Sequence, residues 1–348
     1  MFNVLIPDGV EPPFGPEEMV FAGRASIVAP HVRDASELER AVWSNADAVL
    51  AWHEITIGAR VIGWLDRCRV IVRVGVGFDN VDLAAAAQRG IPVCNVPDYG
   101  THDVADHALA LYLTMARRIV LYDEATRAGN WAWTNGSGPL SRISDSTIGV
   151  IGLGRIGTAA ARRFAVLGAS VVFYDPYKED GYDKALGIHR ADSLSDLLEQ
   201  SDAVSLHVPL TPETFGLVDR RFVAALKPGA LLINTARGKT MDLDAVHEGL
   251  LSRRIGGTGL DVLPLEPPDP SHPLIQAWRD RAPWLAGRLV ITPHVAFYNE
   301  QSVVEMRRKA AREALRVLEG QQPRNCVNLV QLREFGNRAA APSRDAPV

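Results

Sequence analysis

The sequence predicts an α/β protein made of two doubly wound parallel-sheet domains, and three observations predict it. Short apolar runs alternate with helix-patterned segments along most of the chain. The length, 348 residues, suggests two domains. Near the middle, residues 147–177 (TIGVIGLGRIGTAAARRFAVLGASVVFYDPY) pass from an apolar run through a glycine-rich turn to an amphipathic segment and a second apolar run. That is a strand–turn–helix–strand unit of about 30 residues.

The glycines of this unit have separate roles. Gly152 allows a tight turn out of the strand, Gly154 lets a pyrophosphate approach the backbone, and Gly157 lets the helix pack close to the strand. The helix that follows aims its free N–H groups and positive dipole end at the phosphates. Asp175 lies 18 residues after Gly157, at the end of the second strand. A carboxylate there accepts hydrogen bonds from a ribose diol and repels a 2′-phosphate. The unit therefore predicts NAD(H) binding in preference to NADP(H).

In chain order, residues 2–7 read as a buried strand and residues 8–18 as a loop rich in proline and acid. Helix patterns cover 35–43 and 58–67, with strands at 48–51 and 70–74. Residues 82–89 form a short alanine-rich helix closed by Gly90, and 92–96 another strand. This first region has no dinucleotide fingerprint of its own, which makes it the substrate side. Thr101 is placed as the N-cap of a helix running to about Arg118, apolar nearly all round and so buried or at an interface. Residues 131–141 (WAWTNGSGPLS) read as a loop with two exposed tryptophans. After the fingerprint, strands fall at 204–208, 229–234, 259–262 and 289–292. A long helix, 301–319, stops at Gly320 and is expected to return to the first domain, and the polar tail from 337 is expected to be disordered.

Composition narrows the function classes. Hydrophobic residues make up 47% and charged residues 22%, with a net charge of −4 and no basic tract, so nothing recommends a nucleic-acid surface. No apolar run reaches the length of a membrane span, and the start MFNVLIPDG lacks a basic signal region. Cys68, Cys94 and Cys326 are odd in number and scattered, which suits reduced thiols in a cytoplasmic protein better than a disulfide frame or a metal site.

Three polar residues fall just after predicted strands, at the sheet edge where doubly wound folds bind ligands. Arg237 follows LLIN, Glu266 follows the strand ending at Asp261-Val262, and His294 follows VITP. Arginine can grip a carboxylate with a bidentate fork. Histidine can deliver a proton to a carbonyl oxygen, and a carboxylate beside it favours the protonated ring and fixes its tautomer. Together they are the set that reduction of a 2-oxo acid requires.

With these residues in place, the chain resembles the D-isomer-specific 2-hydroxyacid dehydrogenase family. The matching stretches are VGVGFDNVD, GLGRIG with Asp175, NTARG, GLDVLPLEP and TPHVAFY, in the family's order. Within it, VVFYDPY, LLEQSDAVSLH, NEQSVVEMRRKAAREA and NCVN are most similar to the C-terminal binding protein branch. The resemblance implies a Rossmann-type cofactor domain, 99–296, inserted in a flavodoxin-like substrate domain, 1–98 plus 297–335, with a tail from 336. It implies a homodimer through the helix from Thr101 and the Trp131 loop, and no direct nucleic-acid or membrane partner. It makes Arg237 the carboxylate binder, His294 the acid/base and Glu266 its partner. Val76, Gly77, Arg73 and Phe297 would line the substrate. Besides the glycines, cofactor contacts would come from Arg155, Ile156, Asp175, His207, Pro209, Thr235, Ala236, Asp261 and His294.

The chain departs from the family in two places. The C-terminal binding proteins carry tryptophan where this chain has Phe297, so their substrate preference does not transfer. The segment 271–288 is longer than the family's usual connection and carries Trp278 and Trp284, which could cover the cleft or build an interface. The reading is an NAD-dependent 2-oxoacid reductase. Its rivals are an NADH-sensing, corepressor-like binding protein and a family oxidoreductase for phosphite, formate or a phosphorylated hydroxy acid.

Overall fold

The computed structural model describes residues 1–135 and 140–340 and divides into two units, Met1–Tyr99 with the chain from Asn299 onward, and Gly100–Tyr298. The first unit runs β1 (Phe2–Leu5), α1 (Gly15–Phe21), β2 (Ala25–Val28), α2 (Arg40–Ser44), β3 (Ala48–Ala51), α3 (Ala59–Ile62), β4 (Val70–Arg73), α4 (Leu83–Gln88) and β5 (Val93–Cys94). Its sheet is parallel throughout in the order β2-β1-β3-β4-β5, the 2-1-3-4-5 order of a flavodoxin-like sheet. β3 and β4 are buried at every residue, so β3 reads as an unbroken apolar run and β4 as Val-Ile-Val ending on the buried Arg73, neither of them alternating.

The second unit runs α5 (Thr101–Ala116), α6 (Ile119–Arg127), β6 (Thr147–Ile151), α7 (Arg155–Val166), β7 (Ser170–Tyr174), α8 (Tyr182–Leu186), β8 (His189–Arg190), α9 (Leu194–Gln200), β9 (Ala203–Leu206), α10 (Arg220–Ala225), β10 (Ala230–Asn234), α11 (Leu243–Leu251), β11 (Ile255–Leu260), α12 (Pro273–Arg279) and β12 (Leu289–Ile291). The parallel order is β8-β7-β6-β9-β10-β11-β12. The strand order reverses at β6, so the crevice beyond its C-terminal end is the ligand site of such a sheet. The chain then adds α13 (Glu300–Leu318) and α14 (Leu329–Ala340) to the first unit. Asn299 and Ser302 form a reciprocal cap at the start of α13.

Several expectations need correction. The loop predicted at 8–18 contains the start of α1, because Glu17 is buried and accepts two bonds of 2.7 Å from Arg307 of α13. An acidic residue looked like loop chemistry until its distant partner appeared. β2 was not foreseen, and the helix expected at 35–43 is broken into a 3₁₀ turn at Ala35–Glu37 and the short α2. Thr101 is the first residue of α5 rather than its cap, a place taken by Gly100. α14 runs through Ala340, into the stretch expected to be disordered from 336, while 341–348 lie outside the described residues.

Residues 136–139 of the tryptophan loop also lie outside the described residues, but Trp131 and Trp133 are 89% and 87% exposed. The cysteines are not all scattered: Cys94 and Cys326 face one another across an antiparallel bridge in the first unit. Their proximity draws the Cys326 thiol below its ordinary range and, with burial, pushes Cys94 up, while Cys326 Sγ donates to Asn328 Oδ1 at 3.2 Å. The segment 271–288 packs on its own unit, with Leu274, Ile275 and Leu285 buried and Trp278 and Trp284 against the same core.

Candidate active site

The glycine turn joins β6 to α7 at the reversal point of the sheet. Gly152 has a φ of 87°, and a Cβ there would meet Val208 and the His207 carbonyl at 2.8 and 2.9 Å. A Cβ on Gly157 would lie 2.0 Å from the Gly152 carbonyl oxygen, so helix and strand pass too closely for any side chain. Gly154 differs: no atom lies within 4 Å of a Cβ built on it. Two glycines are thus demanded by packing, and the third leaves open space at the mouth of the turn, where Arg155 and Ile156 begin α7.

Asp175 follows β7 and is tied to this turn. Its Oδ2 accepts from the Leu153 N–H at 2.8 Å and its Oδ1 from the Tyr177 N–H at 2.9 Å. A carboxylate has about four acceptor positions, so this anchoring leaves capacity for a diol. At the neighbouring strand ends two buried polar atoms, Nδ1 of His207 and Oγ1 of Thr235, have no hydrogen-bond partner among the described residues. Burial pushes His207 down to about 4, so its ring is neutral. Pro209 follows in the same loop and accepts a bond from Thr214 Oγ1, while the Ala236 N–H donates to Asn234 Oδ1 at 2.9 Å. An open glycine, a pre-positioned carboxylate and unsatisfied polar atoms at the strand ends fit a dinucleotide.

Beyond β11 and β12 the structure brings together the predicted chemical set. His294 Nδ1 lies 2.8 Å from Glu266 Oε2, and Glu266 Oε1 accepts from the Leu263 N–H at 2.9 Å. Burial alone would raise the Glu266 carboxyl. The hydrogen bond from His294, with the charges of His294 and Arg237, reverses that and holds it below the usual carboxylate range. An ionised Glu266 can only accept, so His294 carries a proton on Nδ1. Arg237 follows β10, where its carbonyl accepts from Asn234 and Thr240, 3.1 and 2.6 Å away, fixing the backbone from which the guanidinium springs.

The orientation of His294 depends on Asp261, which is only 1% exposed. Its carboxylate accepts from Thr292 Oγ1 at 2.6 Å and from the N–H groups of Val295 and Ala296 at 2.9 Å each. His294 itself has a φ of 52°, a left-handed conformation unusual for a side-chain-bearing residue. Its N–H donates to the Asp261 carbonyl at 2.8 Å. The carboxylate expected among the cofactor contacts therefore has a positioning task of its own. Phe297 meets the His294 ring edge-on at 6.4 Å between centroids.

Sequence reading missed His107. Its Nε2 lies 3.0 Å from Thr292 Oγ1. Because Thr292 gives its hydroxyl proton to Asp261, His107 is the donor in that contact. The available signal was a histidine one helical turn from the buried Val104 and Leu111 of α5 and next to the buried Ala108. Arg73, Val76 and Gly77 sit at the end of β4 in the first unit. There Arg73 is 7% exposed with Nη1 donating to the Val74 carbonyl at 2.8 Å, and the Val76 carbonyl accepts from Asn95 at 2.6 Å.

Residues 109–296 match the family described as D-isomer specific 2-hydroxyacid dehydrogenase, NAD binding domain. The chain belongs to the D-isomer specific 2-hydroxyacid dehydrogenase family. It is 40% identical over 251 residues to a D-3-phosphoglycerate dehydrogenase of Mycobacterium bovis, a match covering 72% of this chain and 45% of the relative. The chain thus spans about half the length of the curated relatives it matches. A crystal structure of a Thermus thermophilus protein superposes with a TM-score of 0.80 at 34% identity, covering 94% of this chain and all of that one. A D-lactate dehydrogenase from Aquifex aeolicus, complexed with NAD and lactic acid, gives a TM-score of 0.79 at 26% identity, over 95% of this chain and 98% of that one. The family's domain is an NAD-binding one, in keeping with the geometry around Gly154 and Asp175. No helix among the described residues is long and apolar enough to cross a membrane.

Proposed function

We propose that the protein is an NAD(H)-dependent 2-oxoacid reductase, working reversibly as a D-2-hydroxyacid dehydrogenase. The observation that carries this reading is the Glu266–His294 contact with Arg237 close enough to bias the same carboxylate. When bound, the reduced nicotinamide supplies the hydride that adds to C2 of the substrate.

The chain's own groups do the rest. Arg237 takes the substrate carboxylate in a bidentate grip and withdraws charge from the adjacent carbonyl. His294, held by Glu266 through Nδ1, delivers the Nε2 proton to the carbonyl oxygen. Glu266 stabilises the charge of the ring before transfer, and Asp261 keeps the loop from turning away. Gly152, Gly154, Arg155, Ile156, Gly157 and Asp175 hold the dinucleotide, with His207, Pro209, Thr235 and Ala236 along the strand ends. Within the family we place the chain nearest the C-terminal binding proteins, on VVFYDPY, LLEQSDAVSLH, NEQSVVEMRRKAAREA and NCVN.

The test is NADH oxidation by the purified protein over glyoxylate, pyruvate, hydroxypyruvate, phenylpyruvate, branched and thioether 2-oxo acids, and a phosphorylated 2-oxo acid. Turnover of one member is expected and sizes the pocket around Phe297. Tight NADH binding without turnover of any member would overturn the enzymatic reading in favour of an NADH-sensing protein.

A further inference from the structure

The crevice beyond β6 lies between the loops that leave β7 and β9, the two strands paired with it. The ribose-binding acid of this architecture ends the second strand of the unit, so the adenosine half of a dinucleotide occupies the part of the crevice between those two loops. In this chain the two loops are joined: the Tyr177 hydroxyl, beyond β7, donates to Glu213 Oε2, beyond β9.

Both ends of this bridge are anchored. The Tyr177 backbone N–H donates to Asp175 Oδ1 at 2.9 Å, and Asp175 in turn holds the Leu153 N–H of the glycine turn at 2.8 Å. On the other side, the Thr211 N–H donates to Thr214 Oγ1 at 2.8 Å, Thr214 Oγ1 donates to the Pro209 carbonyl at 2.6 Å, and the Phe215 N–H returns to the Thr211 carbonyl at 2.9 Å. Glu213 therefore rides on a closed turn rather than a free loop. Tyr177 is 75% exposed and Glu213 also faces solvent, so apolar burial does not explain their meeting. The phenol feels both carboxylates, Glu213 through the hydrogen bond and Asp175 through its charge, and both keep it protonated.

We propose that Tyr177 and Glu213 form a strap across the adenosine end of the dinucleotide site, and that Glu213 acts with Asp175 as a second carboxylate selecting against a 2′-phosphorylated cofactor. Tyr177 is the rigid spacer that sets Glu213 relative to Asp175. A 2′-hydroxyl meets two acceptors of fixed position, whereas a 2′-phosphate meets two like charges. Because Glu213 is exposed, its repulsion is modest and screened by salt.

The test measures binding directly. NADH and NADPH are titrated by nicotinamide fluorescence on the wild type, Glu213→Gln, Tyr177→Phe and the double variant, and NADH dissociation is followed by stopped flow. Glu213→Gln is expected to tighten NADPH about fivefold with little change for NADH, a gain that shrinks at high salt. Tyr177→Phe is expected to speed NADH dissociation several-fold, and the double variant to add nothing further to that rate, since a glutamine at 213 still accepts from the phenol and only loss of the hydroxyl opens the strap. An unchanged NADH-to-NADPH affinity ratio in Glu213→Gln overturns the selection role. Unchanged dissociation in Tyr177→Phe, or additive effects in the double variant, overturns the strap. The inference rests on dinucleotide binding. A wild type that binds neither cofactor overturns that reading as well, whereas with a wild type that binds NADH a negative result counts against Tyr177 and Glu213 alone.

Discussion

His294 Nδ1 and Glu266 Oε2 stand 2.8 Å apart although 28 residues separate them in the chain. Glu266→Gln keeps the shape and removes the charge, and its amide can donate to His294 or accept from it, so the tautomer is no longer imposed. The expected result is a fall in kcat of about 100-fold with NADH affinity preserved, read by steady-state rates and fluorescence titration. Glu266 is held below its ordinary value of 4.5, so the pair is intact above that pH and is lost as pH falls through the lowered value. The acid limb of the kcat profile should shift in Glu266→Gln; an identical limb would remove Glu266 from the proton path.

The role proposed for Arg237 separates substrate recognition from cofactor binding. Arg237→Ala removes the carboxylate grip while leaving the glycine turn untouched. Turnover should fall about 1000-fold with the NADH dissociation constant within about twofold of wild type. Rates like those of wild type would refute the assignment. Arg237→Lys should recover only part of the loss, because an ammonium has no planar fork.

Gly157 and Gly154 make opposite predictions from neighbouring positions. A methyl on Gly157 meets a backbone oxygen at 2.0 Å, so Gly157→Ala should cost about 2–3 kcal/mol in urea unfolding. A methyl on Gly154 meets nothing within 4 Å, so Gly154→Ala should unfold like wild type yet bind NADH poorly. Equal stability of the two variants would contradict the packing described for the turn.

His207 titrates at a cost to the fold. Its value drops from 6.5 to about 4 through burial, so the unfolded chain takes up the proton first as pH falls. Stability is therefore full above pH 6.5 and declines toward about 4, by an amount on the order of 3 kcal/mol. The upper part of this window lies above the range where Glu266 acts. His207→Gln should flatten the urea midpoint between pH 6.5 and 4.5. A wild-type slope in that variant would assign the loss to another group.

Much of this protein was legible in the chain itself. The strands β3 and β4 and the unit from β6 to β7 announced themselves because parallel strands buried on both faces are dominated by apolar residues, and because close backbone approach admits only glycine. The three side chains proposed for the chemistry could be picked out because each follows a strand whose end opens on the ligand edge. What tertiary structure decided was pairing. Glu17 looked like loop chemistry until Arg307 met it from 290 residues away, and Cys94 and Cys326 looked unrelated until a bridge set them face to face. His107 acquired its role through Thr292, Asp261 through the loop it holds at Thr292, Val295 and Ala296, and Tyr177 and Glu213 through each other. Local sequence dictates periodicity, turn geometry and burial, which act over a few residues; hydrogen-bond partners are chosen by the packing of strands and helices far apart in the chain, and no local pattern encodes them.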